Sequence, residues 1–181
     1  MKTAITTKKL ALIGLFAALV FVSSYLSIPI PTTLDNTRLH LGNVFCLLSG
    51  FVLGALPGGL AAGIGSMFFD LLNPLYITSA PFTLVFKFLM AWVCGTIAYC
   101  GDRQGLNTKW NITAGVTGAL TYVVLYLSKS FLSNVWFKRT EVETALIDVG
   151  VKAIASSTNA IIAVVVAIPL AAVIRKAVKT L

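Results

Sequence analysis

The stretch Leu41-Gly-Asn-Val-Phe-Cys-Leu-Leu-Ser-Gly50-Phe-Val-Leu-Gly54-Ala-Leu-Pro57-Gly58-Gly59-Leu-Ala-Ala-Gly63-Ile-Gly65-Ser-Met-Phe-Phe-Asp70-Leu-Leu72 decides the fold. It carries no charge before Asp70. At 1.5 Å per residue it would make a rod of about 48 Å, too long for one upright membrane helix and short for two full ones. Pro57-Gly58-Gly59 stands at its middle. Proline removes a backbone donor and glycine permits a tight reversal, so two short helices are expected, 41–56 and 58–71.

Four more apolar runs flank this hairpin, at about 10–28, 82–100, 110–132 and 146–174. Each is long enough to cross about 30 Å of hydrocarbon, and the last is long enough to extend beyond it. The whole chain fits that reading. Of its 181 residues, 57% are hydrophobic and only 11% charged, with a mean hydropathy of +0.91. Soluble domains carry about 25% charged residues, so a water-facing surface could not be covered. Lys2, Lys8 and Lys9 before the first run resemble the start of a signal peptide. The run is long for one, however, and no A-x-A site follows. The expected fold is an all-α integral membrane bundle of six helices, a single membrane domain over 1–181.

Charge sets the orientation. With six spans both termini share a side, which collects Lys2, Lys8, Lys9, Arg103, Lys109, Arg175, Lys176 and Lys179 against Asp102 alone. The positive-inside rule makes that side cytoplasmic. Most of the net charge of +8 is thereby a topology signal, and nucleic acid is not an expected partner. The opposite loops, 29–40, 72–81 and 133–145, are longer and chemically varied.

Two kinds of surface stand out. Gly14 and Ala18 lie four apart in the first helix, and Gly50, Gly54, Gly58, Gly59 and Gly63 continue the spacing. Such faces let helices approach closely, either within the chain's own bundle or against a partner membrane protein. Ionisable groups inside a span are costly and therefore functional candidates. Thr83 and Lys87 share a helix face; so do Tyr122, Tyr126 and Lys129, and Lys152, Ser156 and Asn159. Three polar stripes on the last three helices could line one cavity open to the outside. The alternative is snorkelling of each lysine to the interface, most readily for Lys129.

The outer loops add Arg38, His40, Asn43, Asn73, Tyr76 and Trp136. Trp136 and Tyr76 suit either an interfacial belt or a lid over a flat ligand. Asp70 and Asp148 lie at helix ends, where structural roles suffice. Cys46, Cys94 and Cys100 match no metal or disulfide pattern and read as small core residues. No P-loop, H-E-x-x-H or G-x-S-x-G motif occurs, so no enzyme is expected.

Leu39-His40-Leu41-Gly42-Asn43, the glycine-rich hairpin, Gly63-Ile-Gly65-Ser66-Met-Phe-Phe-Asp70 and Ala80-Pro81-Phe82-Thr83-Leu-Val-Phe-Lys87 together resemble the substrate-binding S component of energy-coupling factor (ECF) vitamin transporters. The resemblance implies one water-soluble vitamin or precursor bound in an outward pocket of the last three helices and the long loops. It implies no cofactor in this chain, because ATP is used by two partner ATPase subunits. It implies a membrane coupling (T) subunit that meets Gly14 and Ala18, and a home in the cytoplasmic membrane of a prokaryote. Lys87, Lys129, Lys152 and Arg38, with few acids opposite, point to an anionic or strongly hydrogen-bond-accepting ligand. Pantothenate is the first expectation, and pyridoxine or hydroxymethylpyrimidine follows. A self-sufficient carrier or channel is the alternative.

Overall fold

The computed structural model describes residues 6–179; Lys2 of the expected basic cluster lies outside them. Six helices follow in order: α1 Thr7–Tyr25, α2 Gly42–Leu53, α3 Ala55–Leu71, α4 Ala80–Tyr99, α5 Thr108–Leu132 and α6 Val142–Lys179. α1, α4, α5 and α6 are each long and apolar enough to cross a membrane, while α2 and α3 are shorter apolar helices. The chain is a multi-pass membrane bundle.

The α2–α3 break falls at Gly54 rather than at Pro57-Gly58. Gly54 has φ +83°, a conformation that residues with a Cβ rarely adopt. Pro57 lies inside the first turn of α3, where its missing N–H would have had no helical partner anyway. Gly58 and Gly59 are not turn residues but contact surfaces. A Cβ on Gly58 would stand 2.6 Å from the carbonyl oxygen of Ser49 in α2, and one on Gly59 would meet the Phe88 ring at 2.9 Å.

α2, only 12 residues and hence about 18 Å long, sits at the centre. Cys46, Leu47, Leu48 and Phe51 are fully buried, and α2 packs on every other helix. A helix enclosed by protein need not match the hydrocarbon thickness. Cys46 and Cys94 are core residues as expected, but Cys100 is exposed where α4 gives way to a 3₁₀ turn.

The loop expected at 29–40 is instead a two-stranded antiparallel hairpin, β1 Ser27–Pro31 and β2 Asn36–His40, in which Ser27 pairs with His40 and Pro31 with Asn36. Its prolines read as loop. In a two-stranded ribbon, however, every strand is an edge strand and can leave one side without donors. The remaining glycine faces separate into two groups. Gly50 and Gly63 are pressed on α4 backbone, at Ala91 and Leu84. Gly14 and Ala18 are exposed, and a Cβ on Gly14 would meet nothing within 4 Å.

Gly58→Ala is expected to cost about 1–3 kcal/mol by overpacking and to lower the melting temperature of the purified protein. Gly14→Ala should leave that temperature unchanged. Equal effects of the two substitutions would overturn the assignment of these faces.

Candidate functional site

Alternation of the helices brings α1's C-terminus, the hairpin, the end of α3, the starts of α4 and α6 and the end of α5 to one end of the bundle. Tyr25 and Phe69 stack edge to face at 4.8 Å there. A cleft of about 130 Å³ opens nearby, between the hairpin and the ends of α4, α5 and α6.

The three polar stripes meet in it. Thr83 and Lys87 come from α4, Tyr126 and Lys129 from α5, and Lys152, Ser156 and Asn159 from α6. Arg38 and His40 enter from β2, and Tyr76 from the segment after α3. Three expected residues do not line it. Asn43 is buried beneath, where its Oδ1 accepts a hydrogen bond from Lys87 Nζ. Asn73 folds its own loop by accepting from the Leu75 N–H at 3.1 Å. Trp136 is 70% exposed, in a π-helical turn that extends α5.

The expected shortage of acids is not what the cleft shows. Arg38 donates to Asp70 Oδ1 at 3.0 Å, with its guanidinium between the Phe69 and Tyr76 rings, 4.1 and 4.3 Å from their centroids. Lys152 lies 2.9 Å from Asp148 Oδ2 and 3.9 Å from Asp35. Asp70 and Asp148 are both buried, so they do more than end helices. Asp148 also accepts from Asn134 Nδ2 at 2.8 Å and from the Leu34 N–H at 3.1 Å. One carboxylate thus ties α6, the turn after α5 and the hairpin together.

Lys87 differs. It is 2% exposed, lies 3.5 Å over the Tyr122 ring, and bonds to an amide rather than a carboxylate. Lys129 donates to the Ser79 hydroxyl at 3.2 Å. The hairpin is held by Asn159, which accepts from the His40 N–H at 3.0 Å and donates to the Arg38 carbonyl at 2.8 Å. Tyr126 donates to Thr37 at 3.1 Å.

Sequence reasoning missed the cleft's apolar walls, Phe82 and Phe86, and its acids Asp35 and Asp70. The Phe82–Phe86 spacing was legible beside Thr83–Lys87, as a four-residue repeat on the same helix. Asp35 carried no pattern, because only the hairpin brings it to Lys152. Among the described residues, two buried side-chain groups at this end lack a hydrogen-bond partner: Arg38 Nη1 and Asn43 Nδ2. Both are donors. A ligand that satisfied them would offer acceptors.

Two measurements check this arrangement. Asp148→Ala leaves Lys152 buried without its nearest counter-charge, at a cost of about 3–5 kcal/mol. Asp148→Leu with Lys152→Met should recover most of it in thermal unfolding, and a fully stable single variant would sink the pairing. His40, in the hairpin, has its basicity pushed well below the usual value near 6.5 by burial first, then by the nearby Lys87 and Arg38 charges. The folded protein therefore keeps His40 neutral while the unfolded chain protonates. Stability is complete above about pH 6.5 and falls as pH drops below it. His40→Gln should flatten that decline; an unchanged pH profile would assign it to another group.

No curated protein sequence matches the chain. A family model does, the ECF-type riboflavin transporter S component, over residues 4–176. That match covers nearly the whole chain, and it agrees with a mostly helical, multi-pass bundle without enzyme motifs. The chain belongs to the ECF-type riboflavin transporter S component family, a family of transporters.

Proposed function

We propose that this chain captures riboflavin from outside the cell and hands it to an ECF transport complex. The observation that carries the reading is the charge state of the cleft. Its bases Arg38 and Lys152 already face Asp70 and Asp148, while the unpartnered buried group among its lining residues, Arg38 Nη1, is a donor, and Tyr76, Phe82, Phe86, Tyr122 and Tyr126 form the walls. A neutral, flat, acceptor-rich ring system suits such walls. An isoalloxazine has that chemistry, and its ribityl chain matches the hydroxyls and amides at the mouth. Pantothenate, expected from an apparent excess of bases, would bring a carboxylate to a cleft in which Arg38 and Lys152 already have acid partners. Pyridoxine and hydroxymethylpyrimidine are smaller rings that leave more of the aromatic wall uncovered. The description of the matching family supports riboflavin over all three.

The same reading assigns the rest of the molecule. The end opposite the cleft carries Lys8, Lys9, Arg103, Lys109, Arg175 and Lys176, which orients it and both termini to the cytoplasm of a prokaryotic cell. Energy comes from two ATPase subunits through a T subunit, since this chain has no phosphate-binding loop. The exposed Gly14–Ala18 face of α1, where a Cβ on Gly14 would meet nothing within 4 Å, is the surface for that T subunit. A carrier acting alone would need no such face.

Riboflavin fluorescence should be quenched saturably by the purified protein without ATP. Lys87→Met should weaken binding about tenfold or more, the loss of a charge-assisted contact. Saturable pantothenate binding with no response to riboflavin would overturn the assignment. Riboflavin uptake by liposomes holding this chain alone would favour the self-sufficient carrier instead.

A further inference from the structure

The vitamin cleft is graded along its depth, and its floor is a cation. Lys87 stands about two turns inside α4, about 10 Å from that helix's first residue, and Tyr122 stands about 15 Å from the last residue of α5. The Lys87 ammonium lies 3.5 Å over the Tyr122 ring. The mouth is of another kind. Asp35 and Thr78 line it and are exposed, with Ser79 and Ser133 beside them. These offer a carboxylate and hydroxyls. Between mouth and floor, Phe82 and Phe86 follow each other on α4, their ring centroids 6.2 Å apart.

The floor is the informative part. An ammonium has three N–H donors and no acceptor. At Lys87 one donor serves Asn43 Oδ1, and the Tyr122 ring face carries the charge. Both partners are neutral. Arg38 and Lys152, by contrast, face Asp70 and Asp148. Lys87 lines the cleft while almost wholly buried, so it presents a donor to whatever reaches the floor and little of itself to water. A buried charge without hydrogen-bonding partners is costly. The part of a ligand seated here is therefore an acceptor with concentrated negative charge, not an apolar edge.

We propose that the cleft reads a flavin by one edge: the pyrimidine edge, with its two conjugated carbonyls, seats on Lys87. The benzene ring then lies against Phe82 and Phe86, and the polyol chain turns to the hydroxyls and Asp35 at the mouth. The opposite orientation presses a methylated hydrocarbon edge on the ammonium and leaves its charge without an acceptor. This orientation rests on the riboflavin reading and adds to it the contact that determines specificity. Lys87 thereby sets the substrate class as flavins with an intact carbonyl edge, whatever small groups their benzene edge carries.

The test is equilibrium binding to the full chain in detergent, measured by titration calorimetry with riboflavin, 2-thioriboflavin, 4-thioriboflavin and 8-amino-8-demethylriboflavin. The thio compounds replace one carbonyl oxygen by sulfur, a weak acceptor, and the amino compound alters only the benzene edge. At least one thio analogue should bind about tenfold more weakly than riboflavin, the size of a lost charge-assisted hydrogen bond. The 8-amino compound should bind as tightly as riboflavin. In Lys87→Met the penalty for sulfur should disappear, a coupling between residue and ligand atom that mere loosening of the fold would not produce. A persistent penalty in that variant would overturn the contact. The ligand series on the unaltered chain stands by itself if Lys87→Met does not fold. Riboflavin bound no better than both thio analogues, or weakened more by the 8-amino group than by sulfur, would overturn the orientation and leave the riboflavin reading intact. No binding of riboflavin would overturn that reading and the orientation with it.

Discussion

A charge buried in a membrane protein must be matched, and in this chain one carboxylate matches a buried lysine while tying three elements together. Asp148 is fully buried in α6 and meets Lys152, Asn134 and the backbone of Leu34. Without Lys152 it would be an uncompensated anion in low dielectric; without Asp148 the lysine would be an uncompensated cation. Because its partners come from α6, from the turn after α5 and from the hairpin, the electrostatic requirement is also a mechanical one. The rim of the cleft closes where Asp148 can be satisfied. Arg38 and Asp70 repeat the device across the cleft, joining the hairpin to the end of α3.

This pairing changes what the cleft selects. Counted along the chain, its residues are rich in bases; counted in space, Arg38 and Lys152 are matched by acids. What remains are donors held rigidly among aromatic rings, with Lys87 against Tyr122 as the one deep cation bonded to an amide. Such a surface discriminates by shape and hydrogen-bond direction rather than by net charge. The same logic runs in reverse at the other end, where the buried Asn111 Oδ1 is an acceptor without a donor.

Helix packing supplies the frame. α2 can be short because it is enclosed, and it is enclosed because Gly58 and Gly63 let α3 approach α2 and α4 at backbone distance. A side chain at these positions would push the helices apart and widen the cleft above them. Gly14 belongs to a different class, since nothing in the chain needs it to be small. The same residue type thus serves the interior in one place and an outward surface in another.

The sequence alone determined the helices, their apolar faces and the three polar stripes, because these depend on spacings of four to seven residues within one element. Lys87, Lys152 and Asn159 were legible for that reason. It also determined that positive charge gathers at one end. Only the tertiary structure decided the partners. Asp148 and Lys152 are one turn apart, yet their burial together depends on the hairpin that covers them. Asp70 meets Arg38 across 32 residues, and Asp35 reaches Lys152 only because β1 and β2 pair. The prolines of β1 hid that pairing, and the reversal at Gly54 rather than Pro57 was hidden by glycines on both sides. Local spacing selects an element and its faces. Which face meets which charge is set by long-range packing, and with it what the cleft can hold.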